Sequence, residues 1–224
     1  MKLKAIITGS SGMVGKGLLL ECIEHPDVES VLIVNRHSIN FSHPKVKELI
    51  IPNFFDLSKA KEQLTGYNTC YFCAGVSSVG LSEVEYTKLT YHMTLNFAET
   101  FLAQNPDSKF CYVSGMGTDS SERGKTFWAR VKGKTENDLL KMPFKAAYMF
   151  RPAFIQPFKG IKSRTRIYNI FYTFFSPLYP LLKHLPKYVT DTVTLGKVMI
   201  EFGLNGNEKK VLENININKT GKNL

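Results

Sequence analysis

Cysteine is scarce in this chain, with four among 224 residues. Cys22, Cys70, Cys73 and Cys111 all fall on apolar stretches, which excludes a disulfide-stapled scaffold. Cys70 and Cys73 form a C-x-x-C, but an i, i+3 pair on a strand points to opposite faces. They are therefore expected to be buried thiols of a reducing compartment, not a redox or zinc pair. None of the five histidines has metal-ligand spacing with another candidate ligand, so no metal is expected. Long apolar runs are missing too. The uncharged stretch Ile167–Leu182 falls short of the ~20 residues that cross a bilayer, and Pro177 and Pro180 interrupt it. Met1–Lys4 leads into only a short apolar run, so no signal peptide is expected, and the location expected is the cytoplasm. No internal repeat or low-complexity tract is present.

Acidic residues are also few: 19 against 29 basic, for a net charge of +10. The surplus is uneven. Residues 1–156 carry 18 basic and 15 acidic side chains, and residues 157–224 carry 11 and 4. The last third is thus the basic surface, suited to an anionic cofactor, substrate or headgroup. No nucleic-acid motif accompanies the charge, and no nucleic-acid partner is expected.

What the chain does have is a regular alternation of apolar strand and amphipathic helix, the pattern of a parallel sheet covered on both faces. Strands are expected at about Lys4–Thr8, Ser30–Val34, Val46–Ile51, Thr69–Cys73, Lys109–Val113 and Ala146–Phe150. Helices are expected at about Val14–Glu24, Ser58–Leu64, Ser82–Gln104 and Thr126–Lys141. After an aromatic-rich segment at Ile161–Pro186, a helix at Val193–Phe202 and a last strand at Lys210–Ile217 complete the chain. The fold class is α/β, a Rossmann-type doubly wound parallel sheet. No linker divides it, so residues 1–224 form one domain, with 157–190 as a lid or substrate-side cap.

The most informative segment is AIITGSSGMVGKGLLLECIE, residues 5–24. A strand runs into Gly9, Gly12 and Gly15, and a helix opens at the last glycine. A dinucleotide pyrophosphate needs that order: a tight turn, close backbone approach to phosphate, close helix packing, and helix N–H groups facing the anion. Thr8, Gly9, Ser11, Gly12, Met13, Val14 and Gly15 are the expected cradle. At the end of the second strand stand Asn35 and Arg36. A carboxylate there would bind the ribose hydroxyls and repel a 2′-phosphate. A neutral residue followed by a guanidinium favours NADP over NAD. Asp56 after the third strand can reach the adenine edge or cap the next helix, with Leu57 beside it. Ala74 and Gly75 after the fourth strand permit close backbone approach to the cofactor.

Gly9-x-x-Gly12-x-x-Gly15, Asp56-Leu57, Ala74-Gly75, Ser114, Lys132 and Arg151-Pro152 together resemble the short-chain dehydrogenase/reductase superfamily. The nearest likeness is its extended and atypical branch of epimerase/dehydratase-like and Tat-interacting-protein-like members. The resemblance covers about residues 3–156. It implies a serine on strand five, a Tyr-x-x-x-Lys on the following helix, and an Arg–Pro turn beside the nicotinamide. Ser114 would then hold the substrate oxygen and Lys132 the nicotinamide ribose. Where the tyrosine belongs, this chain has Trp128, whose indole donates a hydrogen bond but moves no proton near neutral pH.

Three functional readings stay open at this level. Another group, such as Tyr91, Tyr148 or a water on Ser114, supplies the proton. Alternatively the acceptor is a conjugated one that takes its proton from solvent, or the protein binds nucleotide as a regulatory sensor. The reading taken forward is an NADP(H)-dependent reductase for a small, partly apolar carbonyl or enone. A nucleotide-sugar epimerase is the less economical alternative. The glycine- and serine-rich loop Gly115–Thr126 is expected either to close over ligand or to be a plain connection. Basic residues flank the aromatic stretch, so 162–187 is read as a lid, a homodimer face or a peripheral membrane contact.

Overall fold

The protein is described from a computed structural model, which covers residues 2–161, 182 and 185–224. Its centre is a seven-stranded, wholly parallel sheet. In chain order the strands are β1 (Leu3–Thr8), β2 (Val28–Asn35), β3 (Val46–Ile50), β4 (Thr69–Phe72), β5 (Lys109–Val113), β6 (Ala146–Arg151) and β9 (Val211–Glu213). In space they run β3-β2-β1-β4-β5-β6-β9. The order reverses direction between β1 and β4, which opens a crevice at the carboxyl ends of those two strands. β7 (Phe154–Gln156) and β8 (Val189–Asp191) form a separate parallel pair, which the sequence pattern did not anticipate.

The strands are apolar on both faces because helices cover both. Leu3, Ala5, Ile6 and Ile7 of β1 are all buried. On one side pack α1 (Met13–Glu24), α5 (Thr192–Leu204) and α6 (Asn214–Gly221). On the other pack α3 (Met93–Gln104) and α4 (Phe127–Lys141), over a run of rings that includes Phe72, Phe97, Phe101 and Phe110. Asp191 caps α5 by accepting from the Val193 and Thr194 amides at 2.9 and 2.8 Å.

Most expected elements are present, with three differences. The helix expected over Ser58–Leu64 is only a 3₁₀ turn at Lys61–Leu64. The Ser58 amide and hydroxyl bind the Asp56 carboxylate, and a segment this short cannot propagate a helix. The long helix after Ser82 does form, opened by a reciprocal capping box between Ser82 and Glu85. It is broken by a π-helical turn, giving α2 (Glu83–Thr87), the π turn Lys88–His92, and then α3. The last expected strand ends at Glu213, because Glu213 and Asn216 form a capping box that turns Asn214–Gly221 into α6.

All four cysteines are free; Cys22, Cys70 and Cys111 are buried and Cys73 is half-buried. Burial pushes the Cys73 thiol up to about 12. Among the described residues, no group of three or more His, Cys, Asp or Glu side chains could hold a metal. No described helix is long and apolar enough to cross a membrane. The aromatic residues of 162–181 lie outside the described residues, as does the choice between lid, dimer face and membrane surface.

Candidate functional site

The cleft lies where the strand order reverses. Gly9, Ser11 and Gly12 after β1, Val34, Asn35 and Arg36 at the end of β2, and Cys73, Ala74, Gly75 and Val76 after β4 line an open space of about 650 Å³. Phe54, Leu89 and Met93 complete the wall. Backbone crowding explains two of the glycines. Gly9 has φ +69°, and a Cβ there would stand 2.7 Å from the Ala74 amide nitrogen. A Cβ on Gly15 would stand 2.4 Å from the Gly9 carbonyl oxygen. The Gly12 amide donates to that same oxygen at 2.9 Å, and Thr8 Oγ1 accepts from the Ala74 amide at 3.2 Å. The turn is therefore braced on β4 before any ligand arrives.

α1 starts from Gly12, with no side-chain cap and no acid in its first turn. Its first N–H groups and its positive dipole end are left to an anion. Beside Gly75 a Cβ position has no atom within 4 Å, so the backbone is open to the cleft there. Met13 and Val14 sit at that helix start, but their side chains pack against the core under α1 and do not line the cleft.

At the other end of the cleft, Asn35 is buried. Its Nδ2 donates to Ser10 Oγ at 2.8 Å and to Glu48 Oε1 at 3.1 Å. Arg36 is exposed on the cleft wall, with no salt bridge among the described residues.

Three of the residues expected at the cofactor, Asp56, Leu57 and Arg151, are not among those that line the cleft. Asp56 does not line the cleft; its carboxylate turns back on the Ser58 hydroxyl and amide, which hold it below the usual carboxylate range. Leu57 is a core residue, 5% exposed, for the plain reason that its side chain is apolar and points inward. The aromatic two residues before Asp56, Phe54, lines the cleft instead and stacks on Phe97 at 5.7 Å. Arg151 is the third. Its guanidinium is buried in a side-chain network with Glu136, Glu213 and Ser120 and does not line the cleft. The Pro152 carbonyl accepts from the Met116 amide at 2.8 Å and so anchors the loop after β5.

Further along the same edge of the sheet, the structure brings Ser114 and Lys132 into contact. Lys132 Nζ donates to the Ser114 carbonyl oxygen. Loss of solvent outweighs the attraction of Glu136 and pushes the lysine down to about 8. The Ser114 hydroxyl points inward, donating to the Glu136 carboxylate, with the Phe150 carbonyl 3.2 Å away. Glu136 is fully buried and binds Arg151 through both oxygens. The sequence offered one signal for it: Glu136 follows Lys132 by four residues, on the same helical face.

Trp128 lies one turn before Lys132 and rests on Gly117, where a Cβ would stand 3.2 Å from the indole edge. The loop Gly115–Thr126 is tied down. The Asp119 amide donates to the Ala129 carbonyl at 3.1 Å, and Asn137 Nδ2 donates to the Ser120 carbonyl at 3.0 Å. α4 comes so close that a Cβ on Gly133 would stand 1.8 Å from the Asp119 carbonyl oxygen. Both alternative tyrosines are engaged elsewhere. Tyr91 donates to Asp138 at 2.8 Å, and Tyr148 Oη is clipped to the Asn207 backbone, accepting from its amide at 2.9 Å.

Residues 5–126, more than half of the chain, match the model of the NAD dependent epimerase/dehydratase family. The match ends just before α4, so it includes the glycine turn and Ser114 but not Trp128 or Lys132. The protein named "Protein FMP52, mitochondrial" of Debaryomyces hansenii is 26% identical over 152 residues, 67% of this chain. Its counterpart of the same name in Candida albicans is 25% identical over 155 residues. The match spans 66% of the length of each relative, just under two thirds. The mitochondrial names of both relatives overturn the expectation of a cytoplasmic location, which rested on the thiols and on the short apolar run after Met1–Lys4.

Among solved structures, uronate dehydrogenase from Agrobacterium tumefaciens superposes with a TM-score of 0.68 at 11% identity, covering 94% of this chain and 76% of that one. The Bordetella bronchiseptica enzyme WbmF, solved with NAD+, gives 0.65 at 15% identity and covers 99% and 78%. At such identities the likeness concerns the fold.

Proposed function

The chain belongs to the NAD dependent epimerase/dehydratase family, and we propose from that premise that it is an NADP(H)-binding reductase for a small, partly apolar carbonyl or enone. One observation carries the cofactor reading: Arg36 stands exposed on the cleft wall, and the neighbouring Asn35 is neutral and buried. The cleft suits a dinucleotide because the cradle at Gly9 and Gly15 admits no Cβ, and the first turn of α1 offers uncapped amides. In this reading Gly9, Gly12 and Gly15 receive the pyrophosphate and Arg36 the 2′-phosphate, with Phe54 against the adenine. Lys132 faces the nicotinamide ribose. When bound, the nicotinamide would supply hydride-transfer chemistry.

The protein's own contribution is then orientation and exclusion of water. Trp128 shapes the site without passing a proton. The Ser114 hydroxyl donates its hydrogen bond to Glu136, so Ser114 is left to accept one from a ligand. Among the described residues, neither Tyr91 nor Tyr148 is free to act as general acid, which favours an acceptor whose proton comes from solvent. The same inward hydroxyl supports a second reading, a regulatory protein whose surface responds to nucleotide occupancy. The mitochondrial names of the curated relatives extend to this chain as a proposed location, which fractionation of tagged protein checks.

Calorimetric titration with NADPH, NADP, NADH and NAD, followed by turnover assays on a carbonyl and enone panel, separates the two readings. A phosphorylated-nucleotide preference with enone turnover is expected. Binding without turnover, together with carbonyl reduction gained in Trp128→Tyr, favours the sensor. No binding at all defeats both.

A further inference from the structure

We propose that Glu48, on β3, determines cofactor specificity by holding the turn that carries Arg36; the inference rests on the NADP(H) reading above. The register pairs Ile33 with Glu48 and Asn35 with Ile50, so the Glu48 side chain stands beside the end of β2. Its Oε1 accepts from Asn35 Nδ2 at 3.1 Å and from the Ile39 amide at 3.0 Å, and its Oε2 accepts from Ser38 Oγ. The two positions flanking the Arg36–His37 pair are therefore tied to one carboxylate.

Asn35 carries the connection onward to Ser10 inside the glycine turn, so a single hydrogen-bonded series runs from the phosphate cradle to the adenosine end. The far side of the turn is closed by Asn40 at φ 50°, whose amide donates to Ser38 Oγ at 3.1 Å. Lys16 sits 4.9 Å above the Phe41 ring and pins the turn to α1.

A carboxylate near this position ordinarily selects against a 2′-phosphate. Geometry reverses the sign here. Three donors take up the charge of Glu48, which is not among the cleft-lining residues, whereas Asn35 and Arg36 are. Partial burial works against ionisation, but the bonds from Ser38, Ile39 and Asn35 outweigh it and keep the carboxyl below its ordinary range.

The test is calorimetric titration of wild type, Glu48→Ala, Arg36→Ala and the double variant with NADPH and with NADH, alongside thermal unfolding without ligand. Glu48→Ala is expected to weaken NADPH binding by about tenfold and NADH by less than about threefold, with the selective loss absent in the Arg36→Ala background. Ser38→Ala, which removes the hydroxyl's bonds to Glu48 and Asn40 but keeps those of Asn35 and Ile39 to the carboxylate, should shift the ratio the same way by less. Equal losses for both nucleotides, or tighter NADPH binding in Glu48→Ala, overturn the inference. An NADPH preference unchanged in size in Glu48→Ala overturns this inference alone. A wild type without that preference overturns it together with the reading beneath it.

Discussion

At the ends of β1 and β4 the chain presents bare backbone to an open cleft. At β5, β6 and α4 it presents side chains bonded to one another: Lys132 to the Ser114 carbonyl, Ser114 to Glu136, and Glu136 to Arg151. The first region is shaped by what is missing, because Gly9 and Gly15 leave no room for a Cβ. The second is shaped by charges taken out of water, which persist only because each has a partner. A backbone cradle can accept a ligand without giving up an internal bond. The paired region cannot, and so its residues must either rearrange or act through the geometry they already hold.

That contrast breaks most sharply at Glu136. Glu136→Ala leaves Arg151 buried with only the half-exposed Glu213 as an ionic partner, and should cost about 3 kcal/mol of unfolding free energy. Urea denaturation measures it; a change within experimental error would mean the network contributes no net stability.

The cleft should respond differently. Gly15→Ala forces a Cβ against the Gly9 carbonyl and should lower stability by about 1–3 kcal/mol, while nucleotide binding is lost altogether. Retained NADPH binding in a folded Gly15→Ala protein would show that the cradle lies elsewhere.

A pH dependence sharpens the same comparison. In the unfolded chain Lys132 titrates near 10.5, and in the folded protein near 8. Between those values the unfolded state binds the extra proton, so raising the pH favours the folded state. Below about 8 the lysine is charged in both states and its desolvation cost is fully present. Wild type should therefore gain stability relative to Lys132→Met from about pH 8 to about pH 10, as denaturation at several pH values would show. A constant difference would mean that Lys132 keeps ordinary access to solvent.

The two regions were not equally legible in the sequence. Gly12 and Gly15 act on their own neighbours in the chain, so the glycine spacing located the turn and the start of α1, although the close approach of Gly9 to Ala74 is tertiary. Asp56 and Leu57 were harder to place for a related reason. Position after a strand says that a residue is near the sheet edge but not which way it faces, and Phe54 had no motif to mark it. The helix expected at Ser58–Leu64 shrank to a 3₁₀ turn even though the Asp56 carboxylate accepts from the Ser58 amide as a cap would, because so short a segment gains little from propagation. The final strand was cut short by the capping box between Glu213 and Asn216.

The amino-acid order alone determined the alternation of strand and helix, the parallel sheet, the glycine turn, and the absence of a tyrosine before Lys132. These depend on periodicity and on contacts between residues a few positions apart. Only the folded protein decided that Arg151 serves Glu136, that Ser114 faces inward, and that Glu48 stands beside Asn35. Each of those pairs joins residues more than ten positions apart in sequence. Which of many available donors and acceptors meet is set by strand register and helix packing, not by local preference.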